Sequence, residues 1–331
     1  MTGLDAHHSC VALTAGDPNG VGPEIALKAL AALTPEQRNR VTLFGPVEVL
    51  QKTANVLHLQ DVLHSITLVS AGEMSTQFHV PGKVDPVAGR SAIDSATAAI
   101  QACRRGEFDS VVAGPHHETA IAQAGIAFSG YPSLVASVCE QASDSVFLML
   151  VGGGLRIVHV TLHESVEISL GRMRTELVIA ATQAGVMACQ RLGVSTPRVA
   201  LFGINPHASE GTLFGEHDVN CTVPAALALN QTGLSVTGPM GADVLLANHA
   251  TQPHDLYVAM FHDQGHIPIK LLAPQGASAF SIGADVLLAS TGHGSAMDIA
   301  GKGQAKPDAL LRSLRMLLGI ASVSPSTAAV S

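Results

Sequence analysis

VALTAGDPNGVGPEIALKALAAL, at residues 11–33, passes from a strand pattern to a helix pattern across a glycine-rich loop. The apolar run at 11–15 predicts a buried strand, and the run at 23–33 predicts a helix. Pro23 suits the first helical turn, and Glu24 lies beside the positive end of the helix. The loop at 16–23 is neither GxGxxG nor a P-loop, so its spacing alone predicts either a tight turn or a weak anion site.

The same alternation of strand and helix patterns continues along the chain. Apolar strand patterns lie at residues 41–44, 110–113, 146–151, 156–162, 198–203 and 256–261. Helix patterns lie at residues 91–105, 176–192, 223–230 and 307–318. Strands that interleave with helices predict an α/β fold with a covered, mostly parallel sheet. The three glycines at 152–154 predict a hairpin turn between two strands.

The composition excludes several classes of protein. The chain has 331 residues, 47% of them hydrophobic, with a formal net charge of −8. Without a basic cluster, nucleic acid is not expected as a partner. No apolar run reaches the roughly 18 residues that span a membrane, and the first ten residues do not resemble a secretory signal. Five cysteines without a CxxC pair predict reduced thiols. We therefore expect a cytoplasmic protein.

Histidine is the main source of metal-binding and proton-transfer chemistry in this chain, which has sixteen of them. Three predicted strands run into His163, His207 and His262. Ligand sites in open α/β sheets form outside the carboxyl ends of strands, so the three could converge on one divalent metal. Taken singly, each could instead cap its strand and pack. His159 lies within a strand pattern and is predicted to be a packed core residue.

In combination, three motifs resemble the 4-hydroxythreonine-4-phosphate dehydrogenase family of vitamin B6 biosynthesis. They are GDPNGVGPEI at 16–25, GINPHASEG at 203–211 and MFHDQG at 260–265. The resemblance implies an isocitrate/isopropylmalate dehydrogenase-like fold of two α/β domains with a cleft between them. It also implies a homodimer with its active sites at the subunit interface, and a divalent metal, expected to be zinc, held by His163, His207 and His262.

A second glycine-rich stretch, HGSAMDIAGKG at 293–303, resembles the NAD-binding loop of isopropylmalate dehydrogenases. The resemblance implies NAD as cofactor, bound by His293, Gly294, Ala296 and Asp298. Small residues would let the ligand approach the backbone, and Asp298 can accept hydrogen bonds from ribose hydroxyls. The implied domains are residues 1–130 with 285–331 on the cofactor side, and residues 131–284 for metal, substrate and dimerisation.

Departures from the family pattern concern the substrate pocket. Members that act on hydroxythreonine phosphate carry His, Lys, Asn and Arg where this chain has Tyr131, Glu118, Ala279 and Leu288. Each lost charge-assisted bond to a phosphate is worth about 1.5–3 kcal/mol, so a phosphate ester is disfavoured. Three other stretches, at 114–121, 127–134 and 158–166, resemble the branch of the family that dehydrogenates the cis-dihydrodiol of terephthalate.

The same resemblance suggests roles for further residues. Lys270, Asp243 and His117 are the catalytic candidates, and Lys270 could pair with a carboxylate or relay a proton. The substrate-binding candidates are His116, His117, Tyr131 and Lys270, which would face a carboxylated diol. His116 and His117 are equally compatible with a structural role.

Two other functions stay open at this point. One is a dehydrogenase of 4-hydroxythreonine-4-phosphate or a related phosphorylated four-carbon hydroxy acid, which would need a basic phosphate pocket. The other is a non-enzymatic binder of metal or carboxylate, which would not need a metal-type histidine set and an NAD-type loop together.

Overall fold

The computed structural model describes residues 9–274 and 276–320. From the amino terminus the elements are β1 Val11–Thr14, α1 Gly22–Ala31, α2 Pro35–Arg38, β2 Val41–Gly45, α3 Val47–Leu57, α4 Gln60–His64, β3 Thr67–Ser70, α5 Pro86–Arg104, β4 Ser110–Ala113, α6 Glu118–Gln123 and α7 Tyr131–Val138. They continue with β5 Phe147–Gly152, β6 Leu155–His159, α8 Val166–Arg172, α9 Thr175–Arg191, β7 Arg198–Phe202, α10 Val223–Gln231, β8 Ser235–Met240, α11 Ala242–Ala247, β9 Leu256–Ala259, α12 His262–Leu272, β10 Ser278–Ile282, β11 Leu288–Thr291 and α13 Asp308–Leu317.

The first of two compact units comprises the described residues up to 141 and from 285 onward. Its strands lie in the order β3-β2-β1-β4-β11, and each neighbouring pair is parallel. All four residues of β1 and of β4 are buried, because α5 and α13 pack against this sheet. Strands covered on both faces explain the continuous apolar runs in the sequence. Helix α7 also lies in this unit.

The second unit comprises residues 142–284. Its strands lie in the order β10-β5-β6-β9-β7-β8, with antiparallel pairing of β10 with β5 and of β5 with β6. The predicted hairpin is confirmed, since Gly152 pairs with Leu155 and the turn residues Gly153 and Gly154 have positive φ. Strands β6, β9 and β7 are parallel neighbours, so their carboxyl ends lie at one edge of the sheet.

The α/β class is confirmed, and each strand and helix predicted above corresponds to an element of the structure within a few residues. Helix α5 begins earlier than predicted, at Pro86, because the Asp85 side chain accepts the backbone N–H of Val87 and caps it. The elements that were not predicted are the strands β3, β8, β10 and β11 and the helices α2, α3, α4, α6, α7, α8, α11 and α12. Among the described residues, no helix is both long and apolar enough to cross a membrane.

Candidate active site

The carboxyl edge of β6, β9 and β7 carries the three predicted metal ligands. His262 is the first residue of α12, the helix that follows β9, and His163 lies in the loop between β6 and α8. Their imidazole centroids are 5.6 Å apart. Two rings at this separation can share one ion, because Zn–N bonds are about 2.0–2.1 Å long. The structure therefore brings two of the three histidines together.

His207 lies after β7 in a turn of unusual backbone geometry. His207, Ala208 and Ser209 all have left-handed backbones, with φ of 53°, 51° and 68°. Residues other than glycine adopt this conformation at a cost of roughly 1–2 kcal/mol each, so surrounding contacts must hold the turn. The His207 ring is exposed and lies 5.8 Å from the ring of Phe214.

The buried carboxylate of Asp218 holds this turn. Among the described residues it accepts four hydrogen bonds, from the backbone N–H of Ile204 and of Asn205 and from the hydroxyls of Ser209 and Thr222. All four are 2.7–3.0 Å long. The sequence analysis missed Asp218, and only its acidic character in a polar segment after the histidine motif could have pointed to it. Its position makes the conformation of the His207 turn depend on one side chain.

Within the described part of a single chain, no group of three or more His, Cys, Asp or Glu side chains is arranged to hold a metal ion. The imidazoles of His163 and His262 fit a divalent transition metal in chemistry and in spacing. The set of three histidines remains a prediction.

Two polar residues of the His-Asp-Gln-Gly motif orient His262. The Nδ1–H of His262 donates to the carboxylate of Asp263 at 2.7 Å, which leaves Nε2 with its lone pair. Gln264 accepts the backbone N–H groups of Met260 and Phe261 at the end of β9. Its amide N–H donates to the carbonyl of Gly203 at 3.0 Å, so it connects the ends of β9 and β7. The Gln264 contacts were not foreseen from the sequence.

His159 is packed in the core, as predicted, and is 1% exposed. Burial is the main cause that lowers the pKa of His159 to about 3, and the charge of His266 is the second cause. Burial is also the main cause that lowers the pKa of His266 to about 4, and the charge of His262 is the second cause. Both imidazoles are therefore neutral at physiological pH.

The catalytic candidates of the second unit lie on two helices. Lys270 is an exposed residue of α12, and its positive charge contributes to lowering the pKa of His266. Asp243 is exposed in the first turn of α11. Their catalytic roles stay predictions.

The remaining substrate candidates lie in the first unit. The ring of His116 makes edge contacts with Phe128 and Tyr131, at 4.7 and 4.9 Å between centroids. Burial lowers the pKa of His116 to about 4. The Tyr131 hydroxyl donates to the carbonyl of Gly114 at 2.7 Å, and the side chain is 4% exposed. His117 caps α6, where its Nδ1 accepts the backbone N–H of Ala120.

The two glycine-rich loops contact each other in the first unit. The backbone N–H of Val21 donates to the carbonyl of Ser295 at 2.9 Å. A Cβ at Gly20 would lie 2.6 Å from the Cβ of Ser295, so the close approach requires glycine there. In the second loop, Ala296 has a φ of 43°, and His293, Gly294 and Asp298 are exposed.

A cavity of about 80 Å³ lies beside these loops. Gly20, Gly301 and Gly303 line it together with Lys52 and His79. The His79 side chain is 8% exposed, and its Nδ1 has no hydrogen-bond partner among the described residues. A buried polar atom without a partner is costly, so this nitrogen suits a ligand or a bound water.

Asp17, in the first loop, is fully buried. One carboxylate oxygen accepts the backbone N–H of Asn19, whereas the other has no partner among the described residues. Burial raises the pKa of Asp17 to about 6. Compared with the unfolded chain, the folded protein thus favours the neutral form of the Asp17 carboxyl group.

We expect Asp17→Asn to stabilise the protein at pH 8 and to have little effect at pH 4. A raised carboxyl pKa contributes stability below the unfolded pKa of 3.8, and this contribution is lost as the pH rises through about 6. The loss corresponds to about 3 kcal/mol. The measurement is the free energy of unfolding of both proteins across this pH range, with the exposed Asp94→Asn as control. A difference that does not change with pH would contradict the assignment.

Comparison with known proteins identifies the family of this chain. The sequence profile described as "Pyridoxal phosphate biosynthetic protein PdxA" matches residues 32–317. The chain belongs to the PdxA family. The predicted resemblance is therefore confirmed, and the family assignment covers most of both units.

Three members of the PdxA family are informative. The 1,2-dihydroxy-3,5-cyclohexadiene-1,4-dicarboxylate dehydrogenase of a Comamonas species is 56% identical over 310 residues, which cover 94% of this chain and 97% of that protein. The crystal structure of a terephthalate 1,2-cis-dihydrodiol dehydrogenase from Burkholderia xenovorans has 42% identity and a TM-score of 0.74, covering 94% and 98% of the two chains. A 4-hydroxythreonine-4-phosphate dehydrogenase from Burkholderia phymatum has a higher TM-score, 0.81, but only 29% identity, with coverage of 95% and 98%.

Because these PdxA relatives are dehydrogenases, the chain is an oxidoreductase of the dehydrogenase class. The predicted isocitrate/isopropylmalate dehydrogenase-like fold is also confirmed. A β-decarboxylating dehydrogenase from Thermococcus kodakarensis matches with a TM-score of 0.50 and 18% identity, covering 96% and 85% of the two chains, a likeness that concerns the fold alone.

Proposed function

We propose that the protein catalyses the NAD-dependent, metal-assisted oxidative decarboxylation of terephthalate 1,2-cis-dihydrodiol. The products are 3,4-dihydroxybenzoate, carbon dioxide and NADH, and the role is in aromatic degradation. The observation that carries the proposal is the 56% identity to the Comamonas dehydrogenase over 94% of the chain. The pair of His163 and His262 supports it, because imidazoles whose centroids lie 5.6 Å apart are suited to a Lewis-acid metal.

The metal, in this proposal zinc, is held by His163, His207 and His262. When bound, it supplies a Lewis acid that lowers the pKa of the substrate hydroxyl and stabilises negative charge on the oxygen. Asp263 fixes the tautomer of His262 and so directs Nε2 to the metal. Gln264 holds the start of α12 against the end of β7, where His207 follows.

The proton balance of the reaction assigns one task to the protein. Oxidation of the CH–OH group moves a hydride to NAD and releases the hydroxyl proton, leaving a ketone β to a carboxylate. Loss of carbon dioxide then leaves an enolate, which takes up one proton as the ring becomes aromatic. A single acid/base group can therefore serve both steps. Lys270, Asp243 and His117 are the candidates for it, and Lys270, His116, His117 and Tyr131 are those for binding the substrate.

NAD is assigned to the loop at residues 293–303, with His293, Gly294, Ala296 and Asp298 as contacts. A cavity of about 80 Å³ lies beside this loop, and Gly301 and Gly303 of the loop line it. The Nδ1 of His79 on its wall has no hydrogen-bond partner in the part of the chain that the structure describes, and it fits a polar group of a nucleotide. Asp298 suits the ribose of NAD rather than the 2′-phosphate of NADP.

The protein is proposed to act as a cytoplasmic homodimer with its active sites at the subunit interface. Segments that carry or follow the metal candidates expose large apolar side chains, including Val166, Leu213 and Leu271 at 70%, 71% and 76% exposure. Contiguous apolar surface is typical of sites that bind another protein, and these side chains are the candidates for it in this unit. Cys139, Cys189 and Cys221 are thiols outside any disulfide, as is usual in the cytoplasm.

The alternative is a dehydrogenase of 4-hydroxythreonine-4-phosphate or a related phosphorylated hydroxy acid. The TM-score of 0.81 to the Burkholderia phymatum enzyme favours it. The acidic Glu118 and the apolar Leu288, at positions where that branch carries Lys and Arg, disfavour it.

The two functions are distinguished by supplying zinc-loaded enzyme with NAD and either terephthalate 1,2-cis-dihydrodiol or 4-hydroxythreonine-4-phosphate. We expect NADH absorbance and 3,4-dihydroxybenzoate with the dihydrodiol only. Prior treatment with a chelator should abolish turnover, and light scattering on the same sample should give the mass of two chains. Turnover of the phosphate ester alone would replace our proposal with the alternative.

A further inference from the structure

A chain of hydrogen bonds connects the core of the second unit to His262. It begins at the carbonyl of Leu148 on β5, which lies 3.2 Å from Nδ1 of His159. A carbonyl oxygen can only accept, so Nδ1 of His159 carries the proton. In the neutral ring, Nε2 of His159 is then an acceptor.

Gly265 makes room for that acceptor. A Cβ at residue 265 would overlap Nε2 of His159, and the neighbouring ring carbons would be 2.9 Å away. Because residue 265 has no side chain, the edge of the buried imidazole can approach the backbone of α12. The glycine of the His-Asp-Gln-Gly motif is thus required by packing between β6 and α12.

His266 is the next member of the chain. Its Nδ1 lies 3.0 Å from Nε2 of His159 and 3.2 Å from the carbonyl of His262. Both partners are acceptors, so Nδ1 of His266 carries the proton and donates. Its Nε2 therefore retains a lone pair, and the two hydrogen bonds fix the orientation of the ring.

The ring of His266 lies flat on the ring of His262. Their centroids are 3.6 Å apart and their planes differ by 14°. His262 is thus held on one face by His266 and on its Nδ1 edge by Asp263. A ring held in this way loses little rotational freedom on binding a ligand.

We infer that His159 and His266 are positioning residues for His262. They form a fixed series of hydrogen bonds from Leu148 that sets the tautomer of His266 and the plane of the His262 imidazole. The inference rests on the proposed function in one respect, namely that Nε2 of His262 binds the metal. If His266 only filled space beside His262, an aromatic ring without nitrogen would serve equally well.

The hydrogen-bond chain can be tested without metal or substrate. Protein labelled with ¹⁵N in its histidine rings and stripped of metal would be examined by two-bond ¹H–¹⁵N correlation at neutral pH. We expect His159 and His266 each to show a protonated Nδ1 and an unprotonated Nε2. Individual substitutions by Gln assign the signals. A His266 signal with a protonated Nε2, or with both nitrogens protonated, would overturn the inference.

The positioning role is tested by matched substitutions of His159. His159→Phe keeps an aromatic ring but removes the acceptor, whereas the amide oxygen of His159→Gln keeps one. We expect zinc affinity, measured by competition with a chromophoric chelator, to fall about tenfold or more in His159→Phe. His159→Gln should retain most of it. Equal affinities in both variants and the wild type would overturn the positioning role.

Two further variants keep the inference testable if His159→Phe folds poorly. His266→Phe keeps the stacked ring and loses the hydrogen bonds, and the double variant His159→Phe/His266→Phe removes both partners of the bond between the two rings. If the residues act as one unit, the losses in zinc affinity should not add in the double variant. Additive losses would contradict the inference. A wild-type protein that binds no zinc would refute the proposed metal site, and the tautomers alone would then decide whether the histidine chain exists.

Discussion

Replacing His262 with alanine is expected to lower kcat/KM for terephthalate 1,2-cis-dihydrodiol by about a thousandfold or more. The substitution removes one imidazole of the pair whose centroids lie 5.6 Å apart. A Lewis-acid metal stabilises the transition state by several kcal/mol, and each 1.36 kcal/mol is a factor of ten in rate. NADH absorbance measures the rate, and elemental analysis of the same protein measures its zinc content.

The control for this substitution is His64→Ala, which removes an exposed histidine at the end of α4. It should keep both activity and zinc. His163→Ala and His207→Ala should lose both, as His262→Ala does. If His262→Ala kept its zinc and lost only activity, the residue would have a role other than binding the metal. If activity persisted, the proposed site would be wrong.

Replacing Asp218 with alanine is expected to lower the free energy of unfolding by about 4 kcal/mol. The side chain is fully buried and accepts the hydrogen bonds of two backbone N–H groups and two hydroxyls. A buried donor left without a partner costs about 1–3 kcal/mol, and some of these donors will regain water as the turn loosens. Denaturant titration measures the change.

Asp218→Ala should also lower activity, because the left-handed turn that carries His207 loses the group that holds it. Asp218→Asn keeps one acceptor oxygen, so its stability and activity should lie between those of the wild type and those of Asp218→Ala. Asp94→Ala, on the exposed side of α5, is the matched control and should change stability by less than about 0.5 kcal/mol. A loss below about 1 kcal/mol in Asp218→Ala would show that the turn is held by other contacts.

The fold was predictable where local patterns agree with tertiary packing. Strand β1, the glycine-rich loop and α1 follow one another in sequence, and each carries its own signal, from apolar residues to Pro23. The less predictable elements lack such signals. Helix α12 contains Gly265 and Pro268, which usually disfavour helices, and β3 is only partly buried. Contacts with the rest of the unit stabilise these segments.

The candidate site was predictable in its residue types and only partly in its arrangement. The order of β6, β9 and β7 within the sheet brings His163 and His262 together, and no local pattern specifies that order. The turn of His207 depends on Asp218, and the orientation of His262 depends on its neighbours His266 and Asp263.

By itself the sequence determined the α/β class, the family and the histidines that could bind a metal. These follow from hydrophobic period, from contiguous motifs and from side-chain chemistry, all of which are local properties of the chain. Only the tertiary structure decided that His159 supports His266 across two elements and that Gly265 leaves space for it. It also decided that Asp17 is buried with a raised pKa. Hydrogen bonding and desolvation depend on which residues are in contact in the folded chain, and the distance between residues along the sequence does not specify those contacts.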